Sequence, residues 1–506
     1  MNQKLGALAV LAAVGLTASS VWAQFTLSPL ASFGGGDGWR APGETVAGDA
    51  PGTTGILGNY LYLNSDVNYL ERGIAFNPVT GNLILVSRAP EANWIRILDG
   101  LTGADKGPLS LGPTNFITGG TFARNMVGVT TDGVIYMGNL TINTNSAPLK
   151  IYRWENESAE PTVHYEGNAG LPGARVGDTL AVFGPDSGGK IALGFGSTPA
   201  VTGNNGFTVI PTGAPNPPAT LVTLPLAPAA GGTAAGDFRL GIAFYDADTV
   251  VGTQGAGVSG RLRVASFDSA GVGTLDASPF LNGNPSIERG MAVTEVDGRK
   301  LLATVAAGGF TANDPPSATQ AFANTVSVYD ITDPASPVLL ATAKNIPTAI
   351  ANTNPNGTSS VAWGARVGNT INLYALNTNN GIQAFTLTLP PTGPNIVLGD
   401  FNFDGFLDAG DIDVFTEALL ESAPYAEFIA NYGALFTTQY GGTLTPELVV
   451  AFGDFDNNSI FDADDIDPFI EAVLASSRPG ASSIPEPAAL GLLAPAALLL
   501  SRRRQR

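Results

Sequence analysis

The sequence predicts a mainly β chain, a β-propeller of six or seven blades followed by a small α-helical module. Three observations carry that expectation. Short β-prone runs separated by Gly, Pro, Asn and Asp turns fill residues 25–394. One motif among them returns roughly every 50–70 residues. Past a Pro-rich boundary at residues 389–394 the composition becomes acidic and the apolar spacing becomes helical.

Composition excludes several classes. The 506 residues include 63 Gly, 36 Pro, no Cys and one His, and only 13% are charged. Without Cys there is no disulfide scaffold, no Cys-type zinc site and no cysteine nucleophile. A single His excludes a multi-His metal centre within one chain. A net charge of −19 argues against nucleic acid as a partner.

The two ends look like addresses. Residues 1–23 have the order of a secretory signal: Lys4, an apolar run over 5–16, and the small residue Ala23. At the other end Pro485-Glu486-Pro487 precedes thirteen apolar residues, 488–500, and then Arg502, Arg503, Arg504 and Arg506. An apolar stretch with a basic stop is a topology signal. This arrangement resembles the PEP-CTERM sorting signal of bacterial surface proteins. The resemblance implies an exosortase-type processing enzyme as partner and transient membrane insertion of the C-terminal segment. It also implies export to the bacterial envelope, surface or exterior. The expected division is a signal peptide (1–23), a propeller-like domain (24–394), a calcium-binding module (395–480) and a sorting signal (481–506).

The repeat is read from its clearest copies. Glu71-Arg72-Gly73-Ile74-Ala75-Phe76 turns into Leu83-Ile84-Leu85-Val86, and Glu288-Arg289-Gly290-Met291-Ala292-Val293 turns into Leu301-Leu302-Ala303-Thr304-Val305. Arg239-Leu240-Gly241-Ile242-Ala243-Phe244 and Asn125-Met126-Val127-Gly128-Val129 repeat the start, and weaker copies begin near Leu180 and Val361. Taking 73, 128, 180, 241, 290 and 361 as equivalent gives steps of 55, 52, 61, 49 and 71. A third, alternating strand follows in most steps, as in Leu149-Lys150-Ile151-Tyr152-Arg153-Trp154. Four strands in about 50 residues make one propeller blade, which cannot bury both faces alone. Six blades fit. A seventh would need residues 25–33 and 56–63, which can instead pair with the last blade to close the ring. A tandem of β-sandwiches leaves the recurring start unexplained. Residues 328–334 resemble bacterial propeller repeats, and residues 72–154 resemble an uncharacterised family of secreted bacterial propeller-like domains. That resemblance implies the fold and no reaction.

Arg72, Arg239 and Arg289 stand at the start of the inferred innermost strands, and Arg124 and Arg175 lie just before two others. They fit a cationic channel mouth that holds an anionic ligand such as a uronic-acid sugar. Inter-blade pairing is the commoner use of such residues, and Glu71 and Glu288 stand beside two of them. His164 falls in an alternating run, on a strand face. There is no nucleophile elbow, phosphate loop or paired-carboxylate signature, so no catalytic residue and no organic cofactor is assigned.

Residues 399–478 hold 16 of the 43 acidic residues and one basic residue, Arg478. Two twelve-residue stretches there share a calcium-loop pattern, with oxygen ligands at positions 1, 3, 5, 7, 9 and 12. The first offers Asp400, Asn402, Asp404, the Phe406 carbonyl, Asp408 and Asp411. The second offers Asp454, Asp456, Asn458, the Ile460 carbonyl, Asp462 and Asp465. Carboxylates so crowded repel by about 4 kcal/mol per pair at 4 Å unless a cation joins them. Each loop runs into an apolar stripe: Ile412, Phe415 and Leu419, then Ile466, Phe469, Ile470 and Val473. Two Ca2+ sites are expected, the second weaker because Ser459 replaces the position-6 Gly. Loop, helix and Asp at position 12 resemble a type I dockerin, which implies a cohesin-like partner. The chain departs from that pattern in the 54 residues between loop starts.

The expected function is therefore an exported surface or matrix protein. Its propeller is a binding platform for a protein or an extracellular polysaccharide, and its loops bind calcium structurally. The alternative is a secreted carbohydrate-active enzyme, a polysaccharide hydrolase or lyase, assembled through its dockerin-like module.

Overall fold

Contacts divide the chain, in a computed structural model, into Gln24–Leu389 and a second unit containing Pro390–Arg506. The structure describes residues 25–50, 70–88, 95–196, 204–225, 236–253, 261–281, 288–307, 323–347, 354, 356–389, 397–421, 423–440, 443–456 and 460–475.

Six antiparallel sheets make up the first unit. Blade 1 is Glu71–Phe76, Asn82–Ser87, Ile95–Asp99 and Asp105–Pro108. Blade 2 is Phe122–Val129, Ile135–Leu140, Leu149–Trp154 and Thr162–Gly167. In blade 3 the inner edge is split between Arg175–Val176 and Ala181–Phe183, followed by Lys190–Gly196, Asn204–Pro211 and Thr220–Pro225. Blade 4 is Gly241–Asp246, Thr249–Thr253, Arg263–Phe267 and Gly273–Ala277. Blade 5 is Glu288–Val296, Arg299–Ala306, Val326–Asp330 and Val338–Ala343. Blade 6 is Ser359–Val367, Thr370–Asn377 and Ile382–Thr388, and its outermost strand is Thr26–Pro29 from the other end of the unit.

The six equivalent positions read from the sequence all lie on or beside innermost strands. Two glycines show why the start of the repeat is so constrained. A Cβ on Gly128 would lie 2.4 Å from Val182 Cγ2, and one on Gly290 would lie 2.8 Å from the Ser359 carbonyl carbon. Inner strands converge on the channel, and at these points only a hydrogen fits between neighbouring blades.

Six apolar cores hold the ring, one between each pair of neighbouring blades. Ile84, Val86, Ile95 and Ile97 of blade 1 meet Ile135, Met137, Tyr152 and Trp154 of blade 2. The series ends where Tyr374, Leu376 and Ile382 of blade 6 meet Ile74, Leu83 and Leu85 of blade 1, with Phe33 buried between them. Middle strands are sandwiched on both faces, so Asn82–Ser87 and Ile135–Leu140 are buried throughout. Closure comes from Thr26–Pro29, whose register runs from Thr26 opposite Thr388 to Pro29 opposite Phe385. The N-terminal strand thus completes blade 6 rather than starting a seventh; residues 56–63 lie outside the described residues.

The second unit is a small helical module. Its helices are α1 (Asp411–Leu420), α2 (Ala426–Tyr440), α3 (Pro446–Gly453) and α4 (Ile466–Ala475). Thr445 caps α3 and Pro446 sits in its first turn. The two loop-following helices meet through Phe415 and Phe469, stacked 3.9 Å apart, within a core that includes Phe401, Phe428, Phe452 and Phe461. The long spacing between the loops is filled by α2 and α3.

One expectation needs correction. Among the described residues no helix is long and apolar enough to cross a membrane, which stands against the expected transient insertion. Length gives the physical reason: thirteen helical residues span about 20 Å, against a hydrocarbon core of roughly 30 Å. The exosortase-type enzyme and the cohesin-like protein are withdrawn as partners with it. Residues 1–23 and 481–506, on which the two expected address signals fall, lie outside the described residues.

Candidate functional site

At the end of the channel where the inner strands begin, side chains from blades 1, 2, 3, 4 and 6 enclose a cavity of about 650 Å³. Arg72, Arg88, Arg124, Arg175 and Arg239 line it, with Asp178 as the one carboxylate among the described lining residues. The repeat explains the gathering, because each inner strand begins at the same height around the ring. Of the sequence-predicted set, the structure brings Arg72 and Arg239 into the cavity, together with Arg124 and Arg175. Arg289 is buried beside Arg239 instead, in space left by Gly357, whose Cβ would collide with the Arg289 Nη1.

Two anchors organise the cluster. The Asn125 side-chain oxygen accepts from Arg72 Nε at 3.0 Å and also from Arg88 Nη2. Arg72 Nη2 donates to the Thr358 hydroxyl at 2.8 Å. Asp178 takes Arg175 in a two-point bond, 2.6 Å from both Nε and Nη2, and Arg239 Nε at 3.0 Å. These guanidiniums more than offset the effect of burial, and hold the Asp178 carboxyl below the usual range. Phe122, 42% exposed, lies under the Arg88 guanidinium at 3.5 Å from the ring centroid.

Crowding shows in the electrostatics. Burial pulls Arg72 down to about 10, Asp178 and Glu71 acting the other way and Arg175 with it. Arg88 falls to about 8, through burial first and then the charges of Arg72, Arg175 and Arg124, against Asp178. Burial also pulls Arg124 and Arg289 down to about 10. Guanidiniums do not lose their protons at neutral pH, so the cluster holds positive charge partly out of water. Arg72 is 3% exposed, and among the described residues neither its Nη1 nor Arg88 Nε has a hydrogen-bond partner.

These arginines do pair between blades, Arg239 with Asp178 of blade 3 and Arg72 with Asn125 of blade 2, while Glu71 and Glu288 have partners of their own. Both strand starts carry a register irregularity, between Glu71 and Gly73 and between Glu288 and Met291. Glu71 accepts from the Asn379 N–H at 3.2 Å, and Glu288 accepts from the Tyr329 hydroxyl. Sequence reasoning missed Arg88, Asp178 and Asn125. Arg88 was within reach, because the blade 1 hairpin sets Ser87 opposite Glu71, and the Arg88 N–H bonds Leu70 O at 2.7 Å. His164 lies on a strand, Thr162–Gly167, and is buried there, with Nε2 at 2.8 Å from Pro211 O.

The rest of the channel differs in character. A second cavity of about 880 Å³ follows the inner strands and is lined largely by apolar residues such as Ile74, Val127, Ile242 and Val361, with Asp246, Glu295 and Lys300 also on its wall.

In the helical module the two acidic loops share one internal geometry. Asp411 accepts from the Asn402 and Asp408 N–H groups at 3.0 and 2.9 Å. Asp465 accepts from those of Phe455, Asp456 and Asp462 at 2.7, 3.1 and 2.9 Å. Within the first loop Asn402 accepts from the Asp404 N–H, Asp404 from that of Phe406 and Asp408 from that of Gly410. Burial pushes Asp411 up to about 6, its backbone bonds opposing this and the Asp400 and Asp404 charges adding to it. The loops then differ. Asp454, Asp456 and Asp465 bring one oxygen each within 4.8 Å of one another, a hard-oxygen set that suits a divalent cation and lacks the nitrogen or sulfur that zinc prefers. In the first loop Asp400 instead takes the Tyr440 hydroxyl from α2 and the N–H groups of Asp404 and Gly405. Among the described residues the carboxylates therefore converge in the loop expected to be the weaker. Phe406 and Ile460 expose their side chains, and Asn458 lies outside the described residues.

The fold and this mouth define a six-bladed β-propeller followed by a small α-helical module. Residues 53–202 match a family described as a domain of unknown function, DUF4623. None of the curated proteins matches. Among solved structures the chain is similar to a DUF4623 family protein from Bacteroides eggerthii, at 17% identity over 64% of this chain and 72% of that one, TM-score 0.47. It is also similar to a calcium-binding protein, regucalcin, from Agrobacterium tumefaciens, at 15% identity over 64% and 92%, TM-score 0.37. An exo-β-1,3-galactanase from Phanerochaete chrysosporium aligns at 12% identity over 58% and 66%, TM-score 0.34. These likenesses are of fold.

Proposed function

We propose that the chain is an exported binding protein whose propeller mouth holds an anionic saccharide, a uronic-acid unit of an extracellular polysaccharide. The acidic loops of its helical module hold Ca2+ as a structural ion. One observation carries the reading: among the described residues, five guanidiniums and a single carboxylate line one cavity, in a chain whose net charge is −19. Positive charge so concentrated against the global sign is a site rather than a property of the surface. Hydrolysis by the usual route asks for two carboxylates across a cleft. The described lining residues offer one, and two arginines already share it.

The test is retention of the full chain on immobilised polygalacturonate, with release by salt. A protein of this net charge should otherwise be repelled by that matrix. The expected result is strong retention that Arg72→Met with Arg88→Met removes. Equal behaviour on polygalacturonate and on neutral cellulose would refute the reading.

A second reading, uronate elimination by a carbohydrate-active enzyme, is favoured by the same guanidinium set. Neutralising the carboxylate makes the neighbouring C–H more acidic. An unsaturated product from a polyuronate would establish it; intact polymer after long incubation would leave binding as the activity.

A further inference from the structure

The mouth contains two separately anchored arginine pairs. Arg72 and Arg88 share the neutral Asn125 oxygen. Arg175 and Arg239 share the charged Asp178. The first pair keeps both its charges uncompensated by its anchor, and the second keeps one. Both line the same cavity, whose volume of about 650 Å³ is within the ~300–1,000 Å³ usual for small-molecule sites. Resting on the anion reading above, we propose that the ligand is a saccharide bearing two anionic groups, one for each arginine pair, as in two linked uronate units.

Three observations support two groups on a sugar rather than one ion. At the first pair the Nη1 of Arg72 is buried and has no partner among the described residues, so an acceptor is wanted there. The anchors fix the guanidinium planes before any ligand arrives, which is how bidentate carboxylate recognition is pre-organised. The same wall carries Asn356 and Thr121, able to meet hydroxyl groups, and the half-exposed ring of Phe122, which Arg88 covers on one face and which offers apolar surface to a sugar. A bare phosphate would use none of these.

The experiment is calorimetry on the full chain at several salt concentrations with four probes: glucuronate, digalacturonate, inorganic phosphate and cellobiose. Digalacturonate should bind at least about tenfold more tightly than glucuronate, with a salt dependence about twice as steep, because two contacts are tethered and two sets of counterions are released. Cellobiose should give no heat. Arg88→Met and, separately, Arg239→Met should each reduce digalacturonate to the affinity and salt slope of glucuronate. The comparison of probes on the unaltered chain stands even if a variant fails to fold. Equal affinity for the mono- and diuronate would overturn the two-group proposal and leave the anion reading intact. Phosphate binding as tightly as digalacturonate would overturn the saccharide. Silence from all anionic probes would remove the anion reading itself.

Discussion

Replacing Glu288 with glutamine should remove a pH dependence built into blade 5. Glu288 is 6% exposed, and its two oxygens accept from the Tyr329 hydroxyl at 2.8 and 2.9 Å. Burial pushes its carboxyl from 4.5 up to about 7, and hydroxyl bonds offset only part of that. The folded value is above the unfolded one, so the native chain keeps this proton longer. Stability from the group is complete below pH 4.5 and is lost as pH rises through about 7. At roughly 1.4 kcal/mol per unit the loss is ~3 kcal/mol. With an unfolding entropy of about 2.1 cal/mol/K per residue, that is on the order of 4 °C in Tm for a propeller of this size. Glu288→Gln keeps an acceptor for Tyr329 without the charge. Thermal melts of the two proteins should nearly coincide at about pH 5 and separate by about 4 °C in favour of the variant at about pH 8. Parallel pH profiles would show that the carboxylate is stabilised by something other than these contacts, and would refute the reasoning.

Three further outcomes are expected. His164 is held neutral by burial, its folded value lying below 6.5, so the unfolded chain binds the proton first and stability should fall as pH drops through 6.5; His164→Gln should flatten that acid limb in urea titrations. Gly290→Ala would force a methyl to 2.8 Å from the backbone of Ser359, and should cost about 1–3 kcal/mol in chemical denaturation, as overpacking does. Calcium at 100 times its Kd should stabilise the helical module by about 2.7 kcal/mol; calorimetric scans should lose that gain in Asp465→Asn, and a module indifferent to both calcium and chelator would end the metal reading.

Much of the fold was legible because packing forces it into the sequence. Inner strands that nearly touch demand glycine, and that demand wrote Gly128, Gly241 and Gly290 into a visible repeat. Middle strands buried on both faces read as continuous apolar runs, as in Leu83-Ile84-Leu85-Val86. The site was legible in part. Arg72 and Arg239 sit on the repeat, so their spacing exposed them. Arg88 and Asp178 do not; one is placed by hairpin register and the other by a loop, and neither leaves a period. Glu71 and Glu288, beside two of the arginines in sequence, meet partners that lie far along the chain, Asn379 and Tyr329. The metal loops show the converse limit: ligand spacing marked both alike, while Tyr440, forty positions from Asp400, distinguishes them only in three dimensions.

Ring closure by the first strand has a consequence for how the chain comes to be folded. Thr26 pairs with Thr388, 362 positions later, so blade 6 cannot be completed until nearly all of the propeller has left the ribosome. Until then blade 1 shows its face, Ile74, Leu83 and Leu85, to solvent, and the open ring carries two unmatched edges. Contacts of such sequence separation form slowly, since the entropy of closing so large a loop comes before any reward for it. The propeller is thus a structure whose last step joins its oldest residues to its newest. An aggregation-prone interval lasts until that step is taken, and loss of residues 26–29 would prolong it indefinitely.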